Sequence, residues 1–218
     1  MSSSPSQPVP TWRGRLHQIA FFVAIPAGIA LVALARGTSA RVVAAVYAVS
    51  LVGLYGTSAT YHRLARSPRA RLWMKRLDHS MIFVLIAGTV TPVAVLVVGP
   101  PWSVVLLGVV WGGAALGIAL KMFVIDGFRV LTGTLYIVLG WVAVLTLPQL
   151  VRGLSIASLV LVVAGGVLYT VGAVVLLRKR PDPSPSTFGY HEVWHSMVVA
   201  GSACHYVAVL LIVLAFRI

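Results

Sequence analysis

Residues 191–195 read His-Glu-Val-Trp-His, and they carry the most specific chemistry in the chain. On a helix His191 and His195 lie on one face, close enough to hold a single metal ion. As text the stretch is HExxH, in which a zinc protease uses the glutamate, here Glu192, as general base. The chain has only four Asp and Glu residues among 218, and one of them stands between these two histidines. His62, Asp78, Ser58, Ser80 and His205 also place reactive groups in or beside apolar stretches, so the elements carrying them decide which can meet.

Those elements are membrane spans. Apolar residues make up 59% of the chain, charged residues 10%, and the mean hydropathy is +0.98. Soluble domains carry about 25% charged residues. A helical span needs about 20 mostly apolar residues. Seven such runs occur, near 19–35, 42–61, 79–98, 102–120, 130–149, 155–177 and 192–216. The expected fold is therefore all-α, a seven-helix transmembrane bundle over residues 19–218, preceded by a flexible cytoplasmic tail over 1–18. That tail is polar, carries prolines and lacks the pattern of a cleaved signal peptide. No internal repeat is visible, and the single cysteine, Cys204, excludes an intrachain disulfide. Pro26 and Pro92 fall inside apolar runs, where kinks are expected. The pairs Gly108/Gly112 and Gly113/Gly117 suit close helix approach.

The net charge of +13 does not indicate nucleic acid, because its distribution follows the loops. Alternate loops hold thirteen and four of the lysines and arginines. The positive-inside rule then puts the N-terminus in the cytoplasm and the C-terminus outside. The basic stretch from Arg63 to Arg76 suits anionic lipid headgroups of the inner leaflet.

Alternation of seven spans brings distant residues to one level. The second run ends at His62 on the cytoplasmic side, the third begins there at Asp78, and the seventh begins there at His191 and His195. Ionisable groups at membrane spans are expensive and usually functional. Three imidazoles and a water give the open four-coordinate arrangement of a catalytic zinc. Asp78 would be an outer partner of the ligands or a base for the water. Ser58, four residues before His62 on the same face, and Ser80 would hydrogen-bond that water or a substrate carbonyl.

Each residue also has a plain structural role available. His62 would favour a helix C-terminus, Asp78 would cap a helix start, and Glu192 would suit a first turn. The serines would bond local backbone. His17 and His79 read as structural. His205 lies ten residues beyond His195, about 15 Å deeper at 1.5 Å per residue, and reads as a buried contact or substrate-cavity residue.

The segments Ser58-Ala-Thr-Tyr-His62, Leu77-Asp78-His79-Ser80 and His191-Glu-Val-Trp-His195 resemble, in order, the three motifs of the hemolysin III proteins. These form the bacterial branch of the progestin and adipoQ receptor family, in a wider superfamily with the alkaline ceramidases. The resemblance implies zinc near the cytoplasmic face, held by His62, His191 and His195, with Asp78 beside the metal-bound water and Ser58 nearby. It further implies a multi-pass protein of the bacterial plasma membrane, membrane lipids as partners, and hydrolysis of lipid amide or ester bonds in membrane-lipid homeostasis. In related receptors the position of Glu192 need not be acidic, which favours Asp78 as the base.

The leading expectation is a zinc-dependent membrane hydrolase. Other classes are a non-enzymatic sensor stapled by zinc, a cytolysin as the family label suggests, and an intramembrane protease using Glu192. A retinal photoreceptor is excluded, since Lys75, Lys121 and Lys179 all lie outside the seventh run.

Overall fold

The computed structural model describes residues 10–125, 127 and 129–216. Seven helical segments there are long and apolar enough to cross a membrane, as expected. They are α1 (Arg15–Leu34), α2 (Thr38–Arg63), α3 (Pro68–Val93), α4 (Trp102–Phe123), a fifth span made of α5 (Arg129–Trp141) and α6 (Leu147–Gly153), α7 (Ile156–Arg178) and α8 (Tyr190–Ala215). Among the described residues the only β-type pairing is an isolated bridge between Ser184 and Phe188.

Several boundaries differ from those read off hydropathy. Helix α1 begins at Arg15, and residues 10–18, expected as flexible tail, are folded. Thr11 and Trp12 donate their N–H groups to the carbonyls of Ser186 and Thr187, and Trp12 meets Phe188 edge-on. Residues 1–9 lie outside the described residues. Helix α3 starts at Pro68, well before its apolar run. Ser67 caps it by accepting from Ala70 N at 3.2 Å, and proline suits the first helical position. Most of the basic 63–76 stretch is therefore helix and not loop, since charged side chains are tolerated where a helix protrudes past the hydrocarbon.

Helices α1 and α3 run on through Pro26 and Pro92, and α3 passes into a π-helical turn over Ala94–Val98. The fifth span breaks into 3₁₀ geometry over Val142–Thr146 before Pro148. Proline has no N–H for the carbonyl four residues back, so the α ladder is interrupted there.

The bundle is apolar outside and encloses its polar groups in an otherwise apolar interior. Phe22, Val49, Val104 and Leu177 are exposed, whereas His17, Ser50, Ser58, Asp78, Glu192, His195 and Ser202 are buried. In lipid this inversion is expected, because exposed apolar groups carry no penalty and helices associate by packing and hydrogen bonds. Helix α8 packs on α1, α2, α3 and α7, and one core cluster joins Leu31, Tyr47, Leu54, Leu85, Val198 and Val209 across four of these five helices. Small residues allow the approach. A Cβ on Gly88 would collide with Ser50, and one on Gly117 with the Phe83 ring. Gly113 faces Leu139 in the same way, whereas Gly108 and Gly112 face open space, so only the second expected glycine pair packs.

Candidate metal centre

The C-terminal turn of α2 and the first two turns of α8 meet at one end of the bundle, and three histidines converge there. Nε2 of His191 and Nε2 of His62 are 3.3 Å apart. Ring centroids are 4.5 Å apart for His191 and His195, and 5.3 Å for His62 and His195. One ligating atom from each of the three lies within 4.8 Å of the others, and His195 is 1% exposed with Nε2 buried and unpartnered. These atoms fit a cation. Nitrogens held about 2.05 Å from a tetrahedral ion would stand about 3.3 Å from each other. An orphaned, fully buried ring nitrogen is otherwise unfavourable.

Asp78, on α3, is 6% exposed and neighbours the Ser58 side chain. It is not among the grouped ligating atoms, so it stands outside the three-histidine set. Ser58 is buried on α2, one turn before His62. Its Oγ is 2.8 Å from Nδ1 of His17. Ser80 is buried two residues beyond Asp78, and its Oγ has no hydrogen-bond partner. His79 donates from Nδ1 to the Lys75 carbonyl at 2.8 Å, a local bond consistent with a structural role.

Glu192 is 1% exposed, and both its oxygens are engaged. One accepts from Arg13 Nε at 2.6 Å and the other from the Gly189 N–H at 2.9 Å, closing the cap of α8. The acidic residue of the HExxH text therefore fastens the N-terminal segment to α8. Gly14, between Arg13 and α1, has φ +75°, and a Cβ there would stand 2.5 Å from Cβ of His62. Only glycine fits that left-handed position against a candidate ligand.

His205 is far from this cluster. Its Nε2 donates to the Val162 carbonyl at 3.1 Å, while Nδ1 is buried without a partner. It lines a cleft of about 80 Å³ among α3, the fifth span, α7 and α8, together with Thr89, Trp141, Leu159 and Val209.

Sequence reasoning missed one residue. His17, read as structural, lies against both Ser58 and His195. The signal was available, because the first span starts at the same level as the third and seventh.

Fold and site define a multi-pass membrane protein with a cluster of three histidines able to hold a metal at one end of its bundle. The chain belongs to the family described as Haemolysin-III related, whose profile matches residues 6–206. It is 35% identical to Hemolysin-3 of Bacillus cereus over 201 residues, covering 91% of this chain and 89% of that protein. It is 32% identical to the Hemolysin-3 homolog of Bacillus subtilis (strain 168) over 197 residues, covering 89% of each.

Proposed function

We propose that this protein is a zinc-dependent hydrolase of the plasma membrane that cleaves an amide or ester bond of a lipid. The observation that carries the reading is the convergence of three imidazoles, with buried Ser58 linked to His195 through the His17 ring and buried Asp78 neighbouring Ser58. Zinc held by His62, His191 and His195 would supply a nucleophilic water near neutral pH and polarise the scissile carbonyl. Asp78 is the residue that takes the proton of the attacking water, because Glu192 is committed to Arg13 and the α8 cap. Ser58 holds the Asp78 carboxylate in place through its hydroxyl. The water oxygen bonds the carbonyl carbon, the C–N or C–O bond breaks, and the proton passes from Asp78 to the departing amine or alkoxide. Ser80, with an unpartnered hydroxyl near Asp78, is available to a polar group of the substrate. His205 is assigned to the substrate's path at the lateral cleft.

The charge asymmetry supports a cytoplasmic location for this end of the bundle, with the N-terminus inside and the C-terminus outside. The basic residues of 63–76 then face anionic headgroups. Two other readings have an observation each. A metal joining α2 to α8 would also staple the bundle without turnover, and the similar proteins are named hemolysins. Metal analysis of purified protein against His62→Ala, with a panel of ceramides, N-acyl lipids and phospholipids, separates them. Stoichiometric zinc that His62→Ala loses, together with cleavage of one class, is the expected result. Loaded protein that is silent across the panel leaves the structural reading, and lysis of erythrocytes by purified protein supports the cytolytic one.

A further inference from the structure

His17 sits in the first turn of α1 and is 3% exposed. Its ring lies flat on that of His195, with centroids 3.8 Å apart and planes 1° from parallel. Its edge meets Tyr55 at 5.1 Å, and Nδ1 is 2.8 Å from Ser58 Oγ, the hydroxyl that neighbours Asp78. One imidazole thus touches a candidate ligand on α8 and the buried Ser58 hydroxyl on α2.

A histidine kept for packing alone would have both ring nitrogens satisfied. Nε2 of His17 is buried without a partner, as is Nε2 of the ring stacked on it. Ligating histidines are normally oriented by an outer group, most often through a hydrogen bond. For His195 the group in contact is a parallel ring, which fixes the plane of the imidazole. The backbone places that ring firmly. Arg13 grips Glu192 at 2.6 Å, and Gly14 sets the start of α1 directly against His62.

The geometry points to His17 as a positioning residue of the metal centre, holding the plane of His195 by stacking and keeping Ser58 in register with Asp78. This rests on the metal reading above. The test is zinc affinity by chelator competition and the visible spectrum of the Co(II)-loaded full-length protein in detergent. Wild type, His17→Ala, His17→Phe and His62→Ala are compared. His17→Ala is expected to keep one metal per chain but to bind zinc roughly 10- to 100-fold more weakly, with a shifted Co(II) band. His17→Phe keeps a ring over His195 and loses only the contact with Ser58, so its affinity should fall less than that of His17→Ala while its metal-free melting point matches wild type. Wild-type affinity and spectrum in His17→Ala, or a His17→Phe protein that binds as weakly as His17→Ala, would overturn the inference alone. A wild-type protein that takes up no metal, or a His62→Ala variant that binds it normally, overturns the metal reading and this inference with it.

Discussion

The bundle has two unlike halves. In the most apolar stretch of α2 56% of residues are buried, and in that of the third span 50%, against 28% in α4 and 17% in α7. The enclosed half, with α8, carries every candidate site residue named from the sequence, the deeper His205 included. The lipid-facing half carries aliphatic surface and one side of the cleft. Enclosure follows chemistry here. Buried carboxylate, hydroxyl and imidazole groups need partners on neighbouring helices, and those partners draw the helices together where the apolar surface would not.

Substitutions that separate these halves start with the largest effect. His195→Ala should abolish stoichiometric zinc, a loss exceeding the roughly 100-fold that removal of an outer partner causes. Elemental analysis checks this. Asp78→Asn should retain the metal yet slow lipid hydrolysis about 10²- to 10⁴-fold, as for loss of a general base. Full activity in that variant would remove Asp78 from the chemistry. Glu192→Gln should weaken the Arg13 pair and destabilise the protein by about 1–2 kcal/mol, with turnover of the folded fraction unchanged. A folded but inactive Glu192→Gln protein would reinstate the protease reading. Gly88→Ala, forced against Ser50, should cost about 1–3 kcal/mol by thermal unfolding in detergent. Gly108→Ala, in the open half, should stay within about 0.5 kcal/mol. Equal effects from the two would mean that the halves pack alike.

What the sequence disclosed depends on the range of the interaction. The seven spans are local hydropathy, and His191 with His195 is a local spacing, so both were legible. His62 joined them because alternation of spans is a strong topological constraint. The partnership of Arg13 and Glu192 links residues 179 apart and leaves no local trace. His17 was passed over because a lone histidine near a helix start has no local pattern, although the alternation of spans sets it level with the starts of the third and seventh. The break in the fifth span was only half legible. The expected run 130–149 passes through Pro148 as one helix, whereas the span changes to 3₁₀ geometry over Val142–Thr146.

The joining of Arg13 to Glu192 also bears on time. Synthesis supplies His17, Ser58, His62 and Asp78 on the first three spans, whereas His191, Glu192 and His195 arrive with the last. Until α8 enters the membrane, the first three spans hold their imidazoles and carboxylate without the partners that α8 brings. The centre and the strap that closes over it therefore form together, as the final act of insertion. A chain truncated before residue 190 would be left with an open, hydratable end that the cell's membrane proteases could recognise.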